Sequence, residues 1–152
     1  MPLPSRKWRD AGPEWCLRYV RNWDVEAVWP DVEPFVAMAC AKVETDLTPA
    51  FILDGALDGR FRLWLILDGE KLVAAFPMAE LPDGTAQFFT FGGSRMNEWM
   101  PVLFPELEAM ARASGVKALR LDGRKGWERA MGRYGFRTMK RDARTVMMEL
   151  VL

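Results

Sequence analysis

At 152 residues, with 21 basic against 21 acidic side chains and half its residues hydrophobic, the chain has the size and apolar content of one domain around one packed core. It contains no histidine, which excludes serine–histidine and cysteine–histidine catalysis, histidine zinc sites and imidazole proton relays. Its two cysteines, Cys16 and Cys40, form no CxxC pair and can build neither a thiolate zinc site nor a disulfide framework, so no metal is expected and a reducing compartment is. The first ten residues are proline-rich and basic without an apolar stretch, and no apolar run approaches the ~20 residues of a membrane span. A cytoplasmic protein without membrane contact is the expectation, with residues 1–14 as an N-terminal arm and 15–152 as one domain.

In chain order, Trp15 to Arg21 alternates as a first strand. Val32, Phe35, Val36, Ala39, Cys40 and Val43 then fall on one face of a helix, which makes Cys40 a core residue rather than a nucleophile. Thr48 followed by Pro49 reads as an N-cap and first-turn proline opening a short second helix. From Phe61 to Phe91 the period changes to two, in runs Phe61 to Asp68, Lys71 to Ala79 and Thr85 to Phe91 separated by glycine turns, which is an antiparallel meander. Pro77 cannot donate to a ladder and marks a bulge or an unpaired stretch. A third helix carries Leu103, Leu107, Met110 and Ala111 to a stop at Gly115; Pro101 and Pro105 leave its start open between Val102 and Met96. Val116 to Asp122 reads as a strand, Trp127 to Tyr134 as a fourth helix closed by Gly135, and Phe136 to Lys140 with Thr145 to Leu152 as a final hairpin.

This order resembles the GNAT family of N-acetyltransferases over about residues 15 to 152. The hairpin from Leu65 to Ala75 looks like the family's second and third strands, and Tyr134-Gly135-Phe136 like its Gly-Phe after the last helix. The stretches Phe91 to Trp99 and Gly123 to Trp127 are similar to a divergent GNAT-like group often encoded in tailed-phage genomes. The resemblance implies an α/β (α+β) fold with a mixed central sheet of about seven strands and four helices on both faces. It also implies that strands four and five run parallel and splay, with acetyl-CoA or another acyl-CoA in the cleft and its pyrophosphate on the loop after strand four. Carried onto this chain, that loop is Phe91, Gly92, Gly93, Ser94, Arg95, Met96 and Asn97, where helix-start amides bind an anion and Arg95 adds a charged contact. The family's loop spacing, Gln or Arg, two residues, Gly, one residue, Gly or Ala, is absent after Phe91, so the motif is degenerate.

The place of the family's proton-donating tyrosine is taken by Met131, which cannot donate, and Tyr134 lies on an apolar stripe. A general base would be Glu80, Asp122, or water held by Gln87 or Thr90. From Asn22 to Arg60 eight acids face two bases, whereas from Arg112 to Arg144 eleven bases face three acids. A basic helix from Arg124 to Arg133 would then lie near nucleotide phosphates, while direct nucleic-acid binding lacks any recognised motif. Trp8, Trp15, Trp23 and Trp29 crowd the N-terminal edge beside Arg6, Lys7 and Arg9, the composition of a protein-partner surface; a homo-oligomer stays open. Two functions compete: an acyl-CoA-dependent N-acyltransferase of unknown acceptor amine, and a non-catalytic GNAT-fold structural or assembly protein, such as a phage morphogenesis or virion component.

Overall fold

The computed structural model describes residues 12–42, 47–88 and 92–152. The elements in chain order are β1 (Trp15–Val20), a 3-10 turn (Asn22–Asp24), α1 (Val25–Lys42), α2 (Pro49–Asp58), β2 (Arg62–Asp68), β3 (Lys71–Glu80), β4 (Thr85–Phe88), β5 (Gly92–Gly93), α3 (Met96–Ala113), β6 (Ala118–Arg124), α4 (Gly126–Gly132), β7 (Arg137–Arg141) and β8 (Thr145–Val151). The α2 start follows its sequence signal: Thr48 Oγ1 accepts the Phe51 N–H at 3.1 Å, with Pro49 in the first turn.

The two long helices run past prolines that sequence alone treats as breaks. α1 begins at Val25 and contains Pro30 and Pro34, and α3 takes the earlier of its two open starts and contains Pro101 and Pro105. Each internal proline removes a backbone donor. Packing offsets the loss: Val25, Trp29, Val32 and Val36 are buried along α1, and Trp99, Met100, Leu103, Phe104 and Leu107 along α3.

Seven strands form a continuous mixed sheet in the order β1-β2-β3-β4-β6-β8-β7, and the two-residue β5 pairs with β3. Neighbours are antiparallel except β4 and β6, which run parallel from Thr85 opposite Ala118 to Phe88 opposite Leu121. A parallel pair requires a crossover, and α3 lies in that connection. Opposite β3, Phe88 faces Met78 and Gly92 faces Ala75. Pro77, which has no N–H for a ladder, stays in register with Leu63 of β2, and the register shift between β2 and β3 falls between Ile66 and Leu67 instead. Of the run read as Thr85 to Phe91, residues 89–91 lie outside the described residues.

Helices cover both faces. Leu63, Leu65, Leu67, Ala75 and Ala79 meet α1 and α2 on one side. Ile66, Phe76, Met78, Phe88, Leu119 and Leu121 meet α3 and α4 on the other. Cys16 is exposed and Cys40 half-buried against the α1 cluster, and both are free thiols.

Candidate active site

β4 and β6 share a ladder for four residues. Beyond Phe88 and Leu121, β6 continues through Asp122, Gly123 and Arg124 on β8, while the other strand resumes at Gly92 on β3. Among the described residues the parallel ladder ends at this point. A hydrogen bond lies across the end of this ladder: Gln87 Nε2 donates to Asp122 Oδ2 at 2.6 Å. Gln87 is 7% exposed, whereas Asp122 reaches solvent. Because side chains alternate along a strand and Ala86 and Phe88 face α3, Gln87 and Asp122 occupy the opposite face. On that face Arg120 holds Glu149 at 3.0 Å and Asp83 at 3.5 Å, and these carboxylates, Glu149 foremost, raise the pKa of its guanidinium.

The loop before α3 is built against β3. Gly93 has φ of +146°, and a Cβ there would stand 2.4 Å from the Val73 carbonyl oxygen. Only glycine allows this approach. The Ser94 N–H also donates to Val73 O at 3.1 Å, and Trp99 Nε1 to Ser94 O at 3.0 Å. Arg95 is left-handed, with φ of 57°. Its guanidinium contacts Asp68 at 3.0 Å and Glu98 at 2.8 Å and lies 4.7 Å from the Trp15 ring centroid. Hydrogen bonds from Arg95 to Glu98 and Asp68 raise its pKa, while the Glu14 N–H and then Arg95 hold the Asp68 carboxyl below its ordinary value. The Glu98 and Trp99 N–H groups both reach Arg95 O, at 2.9 and 3.2 Å. That leaves the N–H groups of Met96 and Asn97 without an acceptor among the described residues, as the first turn of a helix requires.

The other sequence candidates separate. Glu80 lies on the α3 face, 3.1 Å from Arg62, away from Gln87 and Asp122. Phe91 and Thr90 lie outside the described residues. Met131 is 1% exposed in the core, and the half-buried Tyr134 ring packs 5.2 Å from Phe104. Arg124, Lys125, Arg129 and Arg133 are all exposed at α4. The tryptophan edge is redistributed: Trp29 belongs to the α1 core and donates to Glu33 at 3.0 Å, Trp15 backs Arg95, and Trp23 is 69% exposed. Trp8 and its basic neighbours lie outside the described residues. The Gln87–Asp122 pairing itself carries no local sequence signal, because 35 residues separate the two and only the parallel register joins them.

Among the described residues no helix is long and apolar enough to cross a membrane, and no group of three or more acids or thiols could hold a metal ion. The fold is that of the GNAT acyl-CoA N-acyltransferases. The IAA acetyltransferase of Bacillus cereus superposes with a TM-score of 0.68 at 10% identity, over 91% of this chain and 100% of that one. A GNAT family acetyltransferase of Elizabethkingia anophelis with acetyl-CoA bound gives 0.66 at 12% identity, over 91% and 98%. The PaiA N-acetyltransferase of Thermoplasma acidophilum, in complex with coenzyme A, gives 0.64 at 11% identity, over 91% and 99%. No protein-family profile matches the chain, and no curated protein matches it in sequence.

Proposed function

We propose that the protein is an acyl-CoA-dependent N-acyltransferase whose acceptor amine enters on the open face of β4 and β6. The observation that carries this reading is the Gln87–Asp122 hydrogen bond, which lies across the end of the only parallel ladder among the described residues. Similar structures hold coenzyme A or acetyl-CoA, and the residues here fit such a group. The loop from Gly92 to Asn97 would hold its pyrophosphate, with the N–H groups of Met96 and Asn97 as donors and Arg95 at the edge. Bound acyl-CoA would supply the thioester from which the acyl group is transferred.

The chain's own contribution is proton handling. An amine is nucleophilic only when neutral, and the Asp122 carboxylate can take the proton from an incoming ammonium group. The Gln87 amide orients that carboxylate and, being buried on β4, fixes it to the strand edge. Calorimetric titration with acetyl-CoA tests the cofactor half. Binding that weakens about tenfold in Arg95→Ala, the worth of one charge-assisted contact, supports the loop assignment. Acetyl transfer to a panel of amines tests the other half: Asp122→Asn should lower turnover by roughly 10²–10⁴ while leaving acetyl-CoA binding unchanged.

A second reading has its own observations. Met131, buried where the family's tyrosine is expected, and Arg95, already held by two carboxylates, suit a GNAT-fold assembly protein that presents Trp23 to a partner. Absence of acetyl-CoA binding at millimolar concentration gives that reading the lead.

A further inference from the structure

We propose that the concavity under the C-terminal half of α3 is a second small-molecule site, one that takes a zwitterion with an apolar aromatic body, the chemistry of a free aromatic α-amino acid. The concavity measures about 530 Å³ and lies between the end of α3 and the face of β2, β3 and β4. That volume is within the range of roughly 300–1,000 Å³ typical of ligand sites. It is separate from the proposed acyl-CoA loop, because about three turns of α3, roughly 16 Å, lie between Met96 and Leu107, its first lining residue on that helix.

The walls are apolar, formed by Met78, Leu107, Met110, Val116 and Leu119. Tyr19 and Trp64, opposite each other on β1 and β2, supply two rings with centroids 5.3 Å apart and tilted by 52°. Such a pair accepts a third ring edge-on or offset. Trp64 Nε1 is the buried side-chain polar atom left without a hydrogen bond among the described residues. The Trp64 side chain lines this concavity, and an unmet buried polar atom in a wall residue calls for an explanation.

The rim decides the class of ligand. Arg62 and Glu80 stand 3.1 Å apart with side chains 45% and 48% exposed. The Arg62 guanidinium makes no hydrogen bond of good geometry to a described residue, so the pair is a loose surface contact that a ligand can exchange at little cost. A ligand carrying only a carboxylate would place it beside Glu80, and one carrying only an ammonium would place it beside Arg62. A zwitterion meets both charges at once, its carboxylate on the Arg62 fork and its ammonium on Glu80. The net-neutral rim thus matches a net-neutral head, and the aromatic and aliphatic walls match the body.

The test is calorimetric titration of the whole protein with L-phenylalanine and L-tryptophan, against hydrocinnamate and phenethylamine as analogues that each lack one charge. Both amino acids should bind in the millimolar range or tighter, and the two analogues about tenfold or more weakly, the loss of one charge-assisted contact. Arg62→Gln and Glu80→Gln, both at the exposed rim, should each weaken the amino acids by a similar factor and leave acetyl-CoA titrations unchanged. Ala111→Trp, which fills the concavity, should abolish amino-acid binding; if that variant does not fold, the rim variants decide. No binding of either amino acid at millimolar concentration overturns the proposal. So does equal binding by a singly charged analogue, or an affinity untouched by both rim substitutions.

Discussion

The two halves of the sheet are dressed differently. In the half made of β1, β2 and β3, alternate residues of one strand are buried on opposite sides: Leu63, Leu65 and Leu67 against α1 and α2, and Ile66 against α3. In the half made of β4, β6, β8 and β7, Phe88, Leu119, Leu121, Val146 and Met148 still pack toward α3 and α4. The other face carries two polar pairs, Gln87 hydrogen-bonded to Asp122 and Arg120 ion-paired with Glu149. A face covered by helices stabilises the sheet through buried area. A face left polar contributes less to stability, and it is the face on which the proposed chemistry is placed.

Substitutions can break this contrast. Phe76, 1% exposed between its neighbours Phe88 and the α3 core, should cost about 3–5 kcal/mol on replacement by alanine, read as a lower denaturation midpoint at unchanged slope. Gly93→Val comes next. Its Cβ would overlap the Val73 carbonyl and sit at a φ that β-branched residues avoid, adding roughly 1–3 kcal/mol of backbone strain before the overlap is relieved. Loss of acetyl-CoA binding in that variant therefore has to be read beside its melting temperature. On the open face the expectation reverses. Asp122→Asn keeps the size and the acceptor oxygen for Gln87, so stability should move by no more than about 0.5 kcal/mol, while acetyl transfer falls.

A pH titration sharpens the picture at the far edge of the open half. The Asp142 carboxyl is held down to about 2 from its ordinary 3.8, chiefly by the N–H of Arg144, then by the N–H and hydroxyl of Thr145. A carboxyl depressed by folding stabilises above its unfolded value and ceases to as pH falls through its folded value. The turn between β7 and β8 should thus loosen between about pH 4 and pH 2, seen as faster amide exchange at Thr145, and Asp142→Asn should remove that acid step. The smallest effect separates the thiols. Cys16 on exposed β1 should react quickly with a thiol reagent, and Cys40 slowly, because burial pushes its thiol pKa up.

Residues in contact along one element were legible from the sequence. The alternation in Leu63 to Leu67, the Thr48-Pro49 start and the turn glycines each encode their structure within a few residues. α3 was legible only as a pair of alternatives, since Pro101 and Pro105 argue locally for a late start and the burial of Trp99 and Met100 overrides them. Of the tryptophans taken together at the N-terminal edge, Trp29 packs in the α1 core, Trp15 backs Arg95 and Trp23 is exposed. Trp29 turned inward because the helix begins at Val25, seven residues before the apolar repeat first read from Val32.

The sequence by itself determined the class of fold, because hydrophobic period, turn chemistry and the order of elements are local properties that add up along the chain. It also excluded histidine chemistry and disulfide frameworks through residues that are simply absent. The tertiary structure decided everything that depends on register between distant segments. Gln87 meets Asp122 only because β4 lies parallel to β6, and Arg95 is claimed by Asp68 and Glu98 only because the β2–β3 turn lies beside the start of α3. Likewise Tyr19, Trp64, Arg62 and Glu80 share one concavity only because β1, β2 and β3 stack in order under α3. No short-range pattern encodes such meetings, since each is fixed by how whole strands align rather than by the residues on either side of the contact.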